Sequence, residues 1–220
     1  MKARPILFST PMVQAILEGK KTQTRRIVKP QPKQELDFFG WELHPKKLQV
    51  AFGTGNKVDS FHKFPFGQVG DVLWVRETFR IKHPWGHEAF GYYEYKTRNN
   101  NQEIKAPDSS VFQSSPKWKP SIFMPKDAAR IWLKITNIKI ERLHDISEKD
   151  AILEGVEKEF SILFNEWRYK DYYNVKSDWR SAVSSFQSLW ANINGINSWD
   201  DNPFVWVIEF ERIQKPTENV

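Results

Sequence analysis

A chain of 220 residues, 40% hydrophobic and 27% charged, is long and apolar enough to fold around a core, which excludes an intrinsically disordered polypeptide. The absence of Cys excludes disulfides, thiol catalysis and cysteine zinc sites together. A net charge of +6 suits a polyanionic partner or an anionic substrate, though 27 acidic residues are interspersed among 33 basic ones.

The opening "MKARPILFSTP" is broken by Pro5 and Pro11 and is too short for a signal sequence. No stretch approaches the length of a membrane span, so a cytoplasmic protein without a membrane partner is expected. Within "PILFSTPMVQAILEGKK", Ser9 or Thr10 caps a helix, Pro11 fits its first position and Gly19 stops it. Val13, Ile16 and Leu17 mark its buried face. "TQTRRIV" then alternates as a strand.

From 29 to 69 the periodicity dissolves into Pro, Gly and aromatic residues, and the segment reads as an insertion packed by its own rings. "GDVLWVRETFRI" (70–81) is a turn followed by a strand, and "EAFGYYEYK" (88–96) is a second strand. Residues 97–120 are polar and loop-like. "ARIWLKITNIKIERL" (129–143) alternates strongly, with a bend expected near Asn137.

"DISEKDAILEGVE" carries a full helix start, with Ser147 and Asp150 as a capping box, Ile146 and Ala151 as a staple, and Gly155 as the stop. Residues 157–180 form a second aromatic insertion. A helix over 180–193 turns Val183, Phe186, Leu189, Trp190 and Ile193 inward. "NPFVWVIEFERI" (202–213) closes the chain as a strand. Short strands, few helices and long irregular segments define an α+β chain around a small curved or closed sheet. A single domain over 1–220 is expected, because no linker separates two.

Most familiar catalytic signatures are missing. "GTGNK" (53–57) lacks the later glycine of a nucleotide loop and reads as a turn. His83 and His87 of "HPWGH" are separated by Pro84 and Gly86, which prevent the helix that would align them on a metal. There is no serine-hydrolase elbow. "GKKTQTRR" (19–26) is the remaining concentration of chemistry: a solvated basic run, a phosphate-contacting edge, or a lysine and threonine placed to react. Lys21 and Thr24 would face opposite ways on a regular strand, so they converge only if the chain turns after Gly19.

The blocks "ILEGKKTQTRR", "GDVLWVRETF", "RIWLKITNIKIERLHDISEKDAILEG" and "NPFVWVIEFERI" resemble ASCH-domain proteins, in particular the larger ASCH-like proteins often encoded by phages and prophages. The resemblance covers somewhat under half of the chain and leaves insertions at about 29–69, 97–115 and 157–180 outside it. It implies a small PUA-like β-barrel with flanking helices. Small bacterial members of that group are amidohydrolases that deacetylate N4-acetylcytidine, and the resemblance carries three catalytic positions onto Lys21, Thr24 and Glu154.

In that chemistry Thr24 attacks the acyl carbonyl, Lys21 takes its proton, and Glu154 protonates the leaving amine or activates water. Arg25 and Arg26 are candidate substrate-binding residues, Arg26 for the developing oxyanion, and Trp74 is a candidate stacking face or a core residue. No cofactor or metal is called for. The partner expected is a modified nucleoside or RNA. The competing expectation is an RNA-binding PUA-like module, which needs the cations but neither Thr24 nor Glu154, and a ribonuclease ranks last.

Overall fold

The computed structural model describes residues 2–33, 37–44, 47–54, 57–82, 91–97, 104–105, 117–162, 165–173 and 181–217. In chain order its elements are β1 (Ala3–Leu7), α1 (Thr10–Leu17), β2 (Gln23–Ile27), β3 (Asp37–His44), β4 (Lys47–Thr54), β5 (Lys57–Lys63) and β6 (Val72–Arg76). There follow β7 (Phe79–Lys82), β8 (Tyr92–Tyr95), β9 (Ile104–Lys105), β10 (Trp132–Arg142), α2 (Glu148–Leu153), β11 (Lys158–Ser161), β12 (Glu166–Tyr169), α3 (Ala182–Asn194) and β13 (Phe204–Ile213). The class is α+β with strands dominant. No helix among the described residues is long and apolar enough to cross a membrane. The His83–His87 pair and most of the 97–115 insertion lie outside the described residues.

The chain folds as two compact units, each discontinuous in sequence. The first unit comprises 1–18, 70–135 and 211–220. In it β1 runs parallel to β6, and the start of β10 pairs antiparallel with β6, setting Trp132 opposite Trp74. The sequence reading treats Pro5 as a break, yet Pro5 sits in β1 opposite Trp74. An edge strand tolerates a residue that cannot donate to the ladder. The expected single strand over 70–81 is two: β6 and β7, with the Glu77 amide between them donating to the Met124 sulfur. β7 then pairs with β8, and β8 with β9.

The second unit comprises 19–69 and 136–210. Its strand order is β10-β13-β2, and β13 pairs antiparallel with β2 so that Ile208 faces Thr24 and Trp206 faces Arg26. Asn137 marks an irregularity in β10: Thr136 and Asn137 are both exposed, so the inside–outside alternation slips, and the Asn137 carboxamide accepts from the Ile138 amide.

The 29–69 segment is an antiparallel three-stranded sheet, β3-β4-β5, and not the irregular insertion its sequence suggests. Register shifts at Phe38/Gly40 and Phe52/Gly53 break the period-two pattern that would have revealed it. Gly53 is required there, because a Cβ would fall 2.0 Å from the Lys57 carbonyl oxygen. The rings of this segment pack on β13 as well as on each other: Phe52 meets Phe204 edge-on at 4.7 Å and Phe64 meets Trp206 at 5.2 Å. The 157–180 insertion likewise contains a β11–β12 hairpin, with Phe160 opposite Trp167.

Helix α3 corrects one further expectation. Ile193 is 58% exposed, and the inner face instead includes the buried Ser185 and Ser188. Ser185 donates to the Lys170 carbonyl at 2.7 Å and Ser188 accepts from the Tyr172 amide at 3.0 Å, which ties the end of the insertion to the helix. Helix α2 starts as its sequence demands: Ser147 Oγ accepts from the Asp150 amide at 3.1 Å. Ser147→Ala is expected to lower stability by about 1 kcal/mol, read as a drop in Tm.

Candidate active site

The candidate residues of the second unit assemble where α2 ends. Gly19 has φ +72, the left-handed conformation that turns the chain out of the "LEGKKT" segment. The Thr22 amide then donates to the Leu153 carbonyl at 3.0 Å, while the Thr22 carbonyl accepts from the Phe210 amide at 2.9 Å. Residues 20–22 are thus strung between the C-terminus of α2 and strand β13. Glu154 is the C-cap of α2, and Gly155 follows with φ +87.

Lys21 is placed by this path beside the helix end. Its Nζ donates to Glu154 Oε2 at 2.8 Å and to the Glu154 carbonyl oxygen at 2.7 Å, satisfying one of the orphan carbonyls of the last turn. Both side chains are buried, at 2% and 4% exposure. Burial pushes the Lys21 ammonium below its ordinary value. The Glu154 carboxylate opposes that shift, and the Arg26 and Arg25 charges add to it.

Arg25 approaches Glu154 from strand β2. Its Nη1 donates to Glu154 Oε1 at 3.2 Å, and its Nε and Nη2 donate to Glu141 Oε1 at 3.0 and 2.5 Å. Asp150 lies 3.6 Å from the same guanidinium. Oriented by this network, the Gln23 amide donates to Asp150 Oδ1 at 3.1 Å and accepts from Arg25 Nη1 at 3.0 Å. The guanidinium also lies 5.8 Å from the centroid of the Phe186 ring.

Arg25 is therefore held by carboxylates and closed to solvent, with its guanidinium on Glu141 and Glu154. The same burial bears on "GKKTQTRR" as a basic edge: Lys21 and Arg25 point inward, Arg26 is half-buried, and Lys20 is exposed.

Thr24 is buried at 4% exposure in the middle of β2. Alternation along the strand turns it away from the face that carries Gln23 and Arg25. Lys21 precedes the strand and reaches Glu154 from the turn, outside that alternation. Arg26 shares the parity of Thr24, and its guanidinium feels the charge of Glu154. Trp74 belongs to the first unit, where it is 6% exposed within the core and has the Arg76 guanidinium 4.8 Å from its ring centroid. Of the two roles its sequence allows, the core role is the one observed.

Sequence reasoning thus brings Lys21 to Glu154 across 133 positions, and misses Glu141, Asp150 and Gln23 as partners of Arg25. A signal for them exists. Gln23 with Arg25 in β2 and Lys139 with Glu141 in β10 are polar pairs two apart, each on one face of its strand. Such pairs on one strand face ask for each other.

The arrangement is a buried lysine–carboxylate–arginine centre. No protein-family model, curated protein or solved structure matches the chain.

Proposed function

We propose that the protein is an amidohydrolase that removes the acyl group from a modified nucleoside such as N4-acetylcytidine, on a PUA-like scaffold of the ASCH kind. The reading rests on the resemblance of the "GKKTQT" and "SEKDAILEG" blocks, and the observation that carries it is the buried 2.8 Å hydrogen bond between Lys21 and Glu154. The pair sets an amine and a carboxyl within one hydrogen bond of each other. These are a general base and a general acid in adjacent positions.

Thr24 Oγ attacks the acyl carbon while its proton passes to the Lys21 amine. The C–N bond breaks as the Glu154 carboxyl proton moves to the departing N4, releasing cytidine. Water, deprotonated by the Glu154 carboxylate, attacks the acyl-threonine ester, and the Lys21 ammonium returns its proton to Thr24. The acid leaves, and both partners end as they began. Arg26 offers donors to the oxyanion. An RNA-contacting role for residues 19–26 is disfavoured by the burial of Lys21 and Arg25.

The test is release of cytidine from N4-acetylcytidine over a range of pH. The reaction uses the one proton that Lys21 and Glu154 share, and burial lowers the Lys21 value from 10.5, so the rate should fall as pH rises through an inflection below 10.5, where that proton is lost. Stability should rise over the same window, because the unfolded chain there binds a proton that the folded chain has released. Absence of cytidine at every pH would end the proposal.

A further inference from the structure

We propose a second ligand site in the first unit: a cleft of about 630 Å³ that takes a small amphipathic anion, an apolar body carrying a phosphate or carboxylate. The volume lies in the range of small-molecule sites. Its floor is Trp132, buried at 3% exposure, with the buried Arg130 beside it. Its walls are Ile104 and Ile213, half-buried and packed against the core cluster that contains Trp132. Its rim carries Arg212 and Lys215, both exposed.

Charge decides what the cleft can hold. No carboxylate lines it among the described residues. The Arg130 charge is already answered by Glu77, which accepts from its Nε at 2.8 Å and from its Nη2 at 2.9 Å. Arg212 and Lys215 have no such answer: among the described residues no carboxylate lies within ion-pair distance of either. The carboxylate that precedes Arg212 in the strand, Glu211, is 3.5 Å from Lys134 instead. Lys215 and Lys126 each lie 6.0 Å from the Trp132 ring centroid, so positive charge surrounds the indole.

An apolar floor and walls below two cations uncompensated among the described residues repel a cation. They offer a neutral molecule only its apolar contacts, and they give an anion a charge-assisted pair as well. The inference does not rest on the deacylation reading, since every residue it uses lies in the first unit.

The experiment is calorimetric titration of the full chain with adenosine monophosphate and with decanoate, set against the neutral adenosine and decanol. At least one anion should bind, and about tenfold or more tighter than its neutral counterpart. Which anion binds tells whether the ligand is a nucleotide or an acyl carboxylate. Arg212→Ala/Lys215→Ala, both at exposed positions, should keep the Tm and weaken that anion by about tenfold or more. Failure of both anions to bind, equal binding of the neutral compounds, or unchanged affinity in the double variant would each overturn it.

Discussion

Glu154→Gln should slow deacetylation by ~10²–10⁴-fold, the usual effect of losing a positioned acid–base group, and should also lower stability by about 3 kcal/mol. The second half of that expectation comes from the structure. A carboxylate at the end of a helix beside a glycine reads as a surface group whose loss costs under about 1 kcal/mol. Here it is buried at 3% exposure and accepts from both Lys21 and Arg25. Gln keeps the size and one acceptor, but it leaves the Lys21 ammonium without a counter-charge. That cation can shed its proton, which limits the loss.

Lys21→Met/Glu154→Leu separates the two effects. Removing both charges from a buried pair is often neutral or stabilising, so the double variant should regain Tm relative to Glu154→Gln while remaining inactive. Near-normal turnover in a folded Glu154→Gln protein would remove Glu154 from the chemistry altogether.

Arg25→Ala is the second large effect expected, a loss of about 3 kcal/mol. It withdraws the cation from Glu154 and from Glu141, although Lys139 still stands 3.2 Å from Glu141 and keeps the loss at the lower end. A fully buried pair is poorly screened, so the destabilisation should be nearly the same at low and high salt. An arginine that instead contacted RNA would leave the Tm intact and reduce the salt dependence of binding. Paired melts and binding titrations distinguish these outcomes.

The parts of the fold that were legible in the sequence are those where local chemistry and tertiary structure agree. Ser147, Asp150 and Gly155 announce α2, and Pro11 and Gly19 bound α1, because caps and stops are read from a few neighbouring residues. β13 shows itself by its strong β-formers and most of β10 by alternation. β3–β5 stayed hidden because glycine-associated register shifts erase the period, and β1 because a proline at an edge looks like a break. Within the site, the partnership of Lys21 and Glu154 was visible through resemblance alone. That of Arg25 with Glu141 was not, since strand pairing determines which polar side chains meet, and pairing is a long-range property.

The division of the chain bears on how it is made. The first unit includes 1–18, which precede the second unit in the chain, and also 211–220, which follow it; there Ile213 packs on its core and Glu211 meets Lys134. The second unit is spelled out entirely between those two ends. On a ribosome the first unit, although it starts before the second, therefore cannot be completed until 211–220 have emerged, while the unit holding Lys21 and Glu154 has all its residues available sooner. Domains fold as units during synthesis. Order of appearance and order of completion are thus inverted here. A premature stop before 211 would spare every residue of the lysine–carboxylate centre and strip the partner unit of its closing strand segment.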